Sequence, residues 1–302
     1  MPHKCRLLLQ HVRKVIILTL FFILKNSLHH LHLSPIIMRK LLQKSLFSFF
    51  IILLTAFTRQ ISAAPSAKDT RYFQLKVYHY TNSQQESLID NYLQSRFIPS
   101  LHASGISNIG VFKAIANDTA ADKKMYVFIP FSSLKQWEKY SLKSADNKSA
   151  DVSDEYLNAA YDKPVYTRIE NIFLKAFELM PKLTPSKLTA SKSERVYELR
   201  SYESASENLY RNKVKMFNQG GEIDIFSRLG FNPVFYSEVI FGSKMPNLMY
   251  MTSFENMKSR EEHWKAFSND PAWKTLSAMK EYQNNVSHSD IYFLRPAEYS
   301  EL

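Results

Sequence analysis

Cysteine is almost absent from this 302-residue chain. The one thiol, Cys5, lies near the amino terminus, so the remainder cannot build a disulfide framework, a cysteine nucleophile or a thiolate metal site. Glycine is nearly as scarce: six residues leave few stretches of backbone able to wrap a phosphate, and no phosphate loop or Gly-x-Ser-x-Gly elbow occurs. Apolar runs are short. The two most prominent, residues 15–24 and 46–57, fall below the ~20 residues needed to span a bilayer. Acidic residues are missing altogether from residues 1–63, which hold nine basic ones (Lys4, Arg6, Arg13, Lys14, Lys25, Arg39, Lys40, Lys44 and Arg59). Of 39 basic and 28 acidic residues in the whole chain, the remainder therefore carries 30 against 28, a net of +2. The overall charge of +11 belongs to the leader, and a body so near neutrality offers no broad surface for a phosphate backbone. Nucleic-acid binding is excluded as a leading reading.

What is present in that leader is the layout of a secretory signal. Met38, Arg39, Lys40 and Lys44 form a positive start, residues 46–57 an apolar middle, and Ile61-Ser62-Ala63-Ala64 a small-residue end. Pro65 disfavours cleavage after Ala64, which places the cut after Ala63. The signal is complete without residues 1–37, so these read as an upstream extension and residues 38–63 as the signal peptide. The expected destination is periplasmic or extracellular, with membrane contact only through the leader before cleavage.

The body divides at residues 181–194, a linker containing Pro181, Pro185, three lysines and small polar residues. On either side, elements recur at a spacing of about 124 residues. Phe73, Leu75 and Tyr78 correspond to Tyr197, Leu199 and Tyr202; Asn108 to Asn232; Phe112 to Tyr236; Tyr126-Val127 to Tyr250-Met251. Each unit, 70–180 and 195–297, reads strand, helix, strand, strand, helix, strand. In the second the segments are 196–202, 207–229 with a break near Gly220-Gly221, 233–241, 248–254, a helical pair at 259–268 and 271–284 with Asp270 as cap before Pro271, and 289–294. In the first they are 72–80, 84–102, 109–116, 124–131, 133–143, 153–161 and 165–173, with a polar insertion at 144–152. This is the ferredoxin-like βαββαβ order. Two such α+β units would pack their open sheet faces together as an intramolecular barrel with the helices outside.

The residues Val196-Tyr197-Glu198-Leu199-Arg200-Ser201-Tyr202, and Glu262-His263-Trp264-Lys265-Ala266-Phe267-Ser268-Asn269-Asp270-Pro271-Ala272-Trp273 near the end of the unit, resemble the NIPSNAP family of the dimeric α+β barrel group. The resemblance covers residues 194–296. The first unit has Trp137 but lacks the Asp-Pro-x-Trp break and joins through the repeat alone. The resemblance implies the fold; related barrels host monooxygenases, haem-dependent enzymes and plain ligand binders, and fold does not choose among them.

Strand alternation assigns the candidate site. Phe73, Leu75 and Val77, with Tyr197, Leu199 and Ser201, form the more apolar set and are expected beneath the helices. Gln74/Glu198, Lys76/Arg200 and Tyr78/Tyr202 are then expected to face the barrel interior, with Phe235 as a wall. One reading of this interior is an internal salt bridge from Glu198 to Arg200 or Lys76, since a buried charge must be paired. The other is a ligand site in which Arg200, Lys76 and the tyrosines hold a small carboxylate-bearing or phenolic molecule; Arg200→Leu would then weaken binding. Histidines add little: His79, His102, His263 and His288 show no metal-ligand spacing, so no metal is expected. His79 is assigned to the helix-facing side, His263 to packing and His102 to a helix end. His288 is the best-placed base or haem ligand. Trp264, Phe267 and Trp273 read as the core side of helices. The expected function is non-catalytic, either small-molecule binding in the barrel or interaction with an envelope protein, with no cofactor. The competing reading is a cofactor-independent or haem-dependent oxygenase in which Arg200 and Tyr202 orient the substrate anion.

Overall fold

The computed structural model describes residues 71–145 and 154–302. The upstream extension, the signal peptide and most of the polar insertion lie outside the described residues. No helix among the described residues is long and apolar enough to cross a membrane.

The first half supplies β1 (Tyr72–Tyr80), α1 (Ser83–Tyr92), a π-helical turn (Leu93–Phe97) leading into α2 (Ile98–His102), β2 (Gly110–Ala114), β3 (Lys123–Phe131), α3 (Leu134–Ala145) and β4 (Arg168–Ala176). The second supplies β5 (Val196–Glu203), α4 (Glu207–Asn218), α5 (Glu222–Arg228), β6 (Asn232–Phe241), β7 (Asn247–Phe254), α6 (Met257–Asn269), α7 (Pro271–Ala278) and β8 (His288–Pro296). Helix starts are chemically marked. Asn82, Ser206 and Asn256 each accept a backbone N–H three residues on, and Asp270 accepts from Ala272 and Trp273 at 3.0 and 3.1 Å, which satisfies amides that lack helical partners. Gly221 adopts the left-handed conformation (φ +92°) that separates α4 from α5. Residues 154–161, expected as a helix, form turns in which the Asp154 carboxylate accepts from the amides of Tyr156 and Leu157.

The eight strands close into one antiparallel barrel in the order β1-β3-β2-β8-β5-β7-β6-β4. Each half contributes four neighbouring strands, and the halves are joined at β2–β8 and β4–β6. The inner face carries Phe73, Leu75, Val77, Phe112, Phe128, Leu174, Tyr197, Leu199, Phe235 and Met251 in a single cluster. Phe235 stacks on Phe128 at 4.7 Å and lies 5.7 Å from Phe73; Phe112 meets Tyr197 at 4.7 Å. An eight-stranded barrel is just wide enough for side chains to fill, and here they do. A Cβ placed on Gly110 would lie 2.5 Å from the Phe112 ring. The helices cover the outer face, where α1 and α2 pack on β1 and β3, and α4–α7 on β5–β7.

Two expectations from strand alternation are corrected. The apolar set of β1 and β5 lines the interior, and the polar set lies under the helices. Both faces of this barrel are covered, so burial does not identify the inside; limited volume does, because a filled interior has no room to hydrate or pair charges. The repeat spacing also slips. Leu75 faces Phe128 and Leu199 faces Met251, so Val127, not Tyr126, is the counterpart of Tyr250. Phe112 points inward, whereas Tyr236 packs under the helices. The cause is local: β6 has a bulge between Pro233 and Phe235, and the turn before β7 is shorter than the β2–β3 connection.

Candidate functional site

Lys76, Tyr78, Glu198, Arg200 and Tyr202 thus occupy two equivalent places under the helices, one in each half, and not the barrel interior. Phe235 is the exception. It is interior, in the packed core, against Phe73 and Phe128.

In the second half the polar residues form a closed network. The Glu198 side chain is fully buried and accepts from Arg200 (Nε, 2.6 Å; Nη2, 2.5 Å), from Arg260 (Nε, 2.8 Å; Nη2, 3.2 Å) and from the Trp264 indole (2.8 Å). Arg200 lies with its guanidinium carbon 3.7 Å from the Trp264 ring centroid and donates from Nη1 to the Tyr202 hydroxyl at 2.9 Å. Tyr202 and Tyr250 share a hydroxyl–hydroxyl bond of 2.8 Å. Burial alone would lower the Arg200 pKa, but Tyr250, Tyr202 and Glu198 outweigh it and hold the group charged. Beyond lies a second buried pair, Lys213–Glu222 at 2.7 Å; burial raises the Glu222 carboxyl against the pull of Lys213. All three guanidinium nitrogens of Arg200 already contact an oxygen of Glu198 or Tyr202, and its face lies on Trp264. The internal salt bridge is the reading that fits this half.

The first half repeats the frame without the charge pair. Trp137 donates to Gln74 at 3.2 Å, as Trp264 does to Glu198, but the acceptor is an amide, tied in turn to Asn171 at 2.7 Å. Lys76 stands where Arg200 stands. Among the described residues its ammonium meets two ring faces, 5.5 Å from the centroid of Tyr78 and 5.2 Å from that of Phe97, and no carboxylate. Burial lowers its pKa to about 8. Beside it, the Tyr156 hydroxyl donates to Tyr78 at 3.0 Å and its ring stacks on Tyr92 at 3.6 Å, with Tyr166 closing the group. A half-buried cation walled by aromatic faces and a phenol pair is suited to an anionic or phenolic oxygen on a flat apolar body.

The histidines take other roles. His79 is inward at one mouth of the barrel, not helix-facing, and contacts Asp122 at 2.9 Å and Glu170 at 3.3 Å. His102, at the end of α2, pairs with Glu301 at 2.5 Å. His263 bonds the Ser259 carbonyl at 2.7 Å and packs edge-on against Phe231 and Phe254. His288 is exposed, 3.3 Å from Asp290. Glu203, His288 and Asp290, from the facing ends of β5 and β8, bring one ligand atom each within 4.8 Å of one another. Motif spacing could not reveal that group, because its members lie on strands 85 residues apart in the chain. Arg260, also missed, had a readable signal: it sits one helical turn before Trp264 on the face that meets Glu198.

Residues 197–301 match the NIPSNAP family model. No curated protein matches the chain. Among solved structures, a proposed monooxygenase from Fusobacterium nucleatum is similar over 75% of this chain and 92% of its own, at 6% identity and a TM-score of 0.50. Another proposed monooxygenase, from Lactobacillus acidophilus, aligns over 75% of this chain and 94% of its own, at 13% identity and a TM-score of 0.49. A NIPSNAP family protein from Agrobacterium tumefaciens aligns over 39% of this chain and 98% of its own, at 18% identity and a TM-score of 0.32. At 6% identity the likeness to the Fusobacterium nucleatum protein concerns the fold alone.

Proposed function

We propose that this chain, which carries a NIPSNAP domain at residues 197–301, is an exported, non-catalytic small-molecule-binding protein. Its ligand sits under the helices of the first half against Lys76 and Tyr78, and carries a carboxylate or acidic phenol on an aromatic body. The observation that carries the reading is the asymmetry between equivalent positions. Arg200 is paired with Glu198, whereas Lys76 meets two aromatic rings and no carboxylate among the described residues. An unpaired ammonium half out of water costs stability, and a ligand anion would supply the missing partner. Export rests on the leader: a basic start, an apolar middle and a small-residue end.

The test uses benzoate and 4-hydroxybenzoate as probes, titrated calorimetrically into the wild-type protein and into Lys76→Met at pH 7. Saturable binding by the wild type that Lys76→Met abolishes supports the reading, and equal heats from both proteins refute it. Edman sequencing of protein from its native host tests export: a mature terminus at Ala64 supports it, and an intact residue 39–62 segment refutes it.

A further inference from the structure

The barrel interior is largely apolar, and at one mouth the inward positions of β5, β7 and β8 become polar. Ser201 and Glu203 on β5 face Asn247 on β7 and His288 and Asp290 on β8 through the strand registers. Glu203 pairs directly with both Asn247 and His288, and Ser201 with Asp290. We propose that Glu203, His288, Asp290 and Asn247 form a divalent-cation site closed by Lys244, independent of the Lys76 site. The two carboxylates and the imidazole each place one ligand atom within 4.8 Å of the others, close enough to share one ion.

Two further observations point to a cation there. Asn247 is 1% exposed, and its Nδ2 donates to Ser201 at 2.8 Å, while its Oδ1 has no partner among the described residues. A buried amide oxygen without a donor is costly. The nitrogen is committed to Ser201 and the residue opposite on β5 is Glu203, so a metal held by Glu203 would be within the same strand pair as this oxygen and could satisfy it. The second observation is Lys244. Its ammonium contacts Asp290 and lies 3.9 Å from Glu203, so a cation already bridges the two carboxylates. Lys244 belongs to the turn between β6 and β7, and its side chain is 42% exposed, free to withdraw into solvent when a metal takes its place. One imidazole, two carboxylates and an amide carbonyl make an oxygen-rich donor set with one nitrogen, suited to a hard divalent transition metal such as Mn²⁺ ahead of the softer thiolate-seeking ions.

The experiment is titration of the full chain with Mn²⁺, following the free-ion EPR signal, with circular dichroism to verify that each variant is folded. One Mn²⁺ per chain is expected. Asp290→Asn should weaken binding by at least about tenfold, and Lys244→Ala should tighten it by removing the competing ammonium. Failure of both the wild type and Lys244→Ala to bind at millimolar Mn²⁺ overturns the proposal. So does a folded Asp290→Asn that binds as tightly as the wild type. Benzoate binding reads the Lys76 site separately, so either proposal can fail alone.

Discussion

The sharpest perturbation is an exchange between equivalent positions: Glu198→Gln in one half and Gln74→Glu in the other. Glu198 holds two guanidinium groups and an indole in a site where its own side chain has no exposure and those of Arg200 and Arg260 are 11% and 19% exposed. Glutamine keeps one acceptor oxygen but turns an amide NH₂ toward the guanidinium groups, leaving two cations facing a dipole. Removing one partner of a buried pair costs roughly 3–5 kcal/mol. Arg260 can swing partly into water, so the expected loss is near the lower end, about 3 kcal/mol. For a body of this size that lowers Tm by roughly 6–12 °C. Gln74→Glu should act in the opposite sense, giving Lys76 a carboxylate and raising its pKa from about 8, at the cost of the bond to Asn171. Urea unfolding at pH 7 measures the first change, and titration of the Lys76 side-chain NMR signal the second. A Glu198→Gln protein within about 1 kcal/mol of wild type would show that Arg200 and Arg260 do not depend on this carboxylate, and the contrast between the halves would fall with it.

Lys76→Met should stabilise the protein at pH 7. The folded pKa of about 8 lies below the ordinary 10.5, so between those values the unfolded chain binds more protons and wild-type stability climbs with pH. The penalty is whole below pH 8 and amounts to about 2 kcal/mol after allowing for partial exposure. Subtracting the Lys76→Met unfolding curves from wild type across pH 7–10.5 isolates that slope, and a flat difference refutes the assignment. Phe235→Ala should cost about 3–5 kcal/mol in denaturant midpoint by opening a hole in the stacked interior; a loss below about 1 kcal/mol would mean that the barrel is loosely filled. Gly110→Ala should also destabilise, by about 1–3 kcal/mol, because the new methyl meets the Phe112 ring. Arg200→Leu should lower stability while leaving benzoate affinity of the folded protein unchanged, the reverse of what an interior ligand site would require.

Much of the fold was legible because its signals are local. The Asp270-Pro271 junction, the Gly220-Gly221 break and the alternation of β1 and β5 each follow from backbone chemistry and appear where expected. The alternation even sorted the residues of β5 into two correct sets. It could not tell which set faces inward, because that depends on closure, a property of eight strands together. A sheet with one bare face would have put Glu198 and Arg200 toward water; a closed barrel covered by helices buries both sets. Deciding between them requires knowing that Phe73, Phe112, Phe128, Phe235 and Tyr197 meet from five different strands. The fixed spacing of the repeat slipped for a related reason, although each half still supplies four neighbouring strands. A fixed spacing survives within β1 and β5, but one bulge and a shorter turn shift every residue of β7, so Tyr126 and Tyr250 match by count and face opposite sides.

The same closure explains why the candidate sites lie where they do. Filling the barrel with aromatic side chains makes the interior a core, and it removes the interior as a place for chemistry except at the mouth, where Glu203, Asn247 and Asp290 replace apolar residues. It also supplies rigidity to both outer faces at once, since each strand that packs inward positions its alternate residues outward. The second half uses that support to fix Glu198 against Arg200, Arg260 and Trp264. The first half keeps the tryptophan and the tyrosine but exchanges the acid for Gln74 and the guanidinium for Lys76. Arginine is held charged almost regardless of surroundings, whereas lysine yields its proton when desolvated, so the exchange converts a permanent brace into a group whose charge depends on what lies beside it. A fold that needed only stability would gain by filling that position with methionine. An ammonium there without a carboxylate among the described residues is a cost in the free protein that a bound anion would offset, and the Lys76→Met measurements weigh the two sides of that exchange directly.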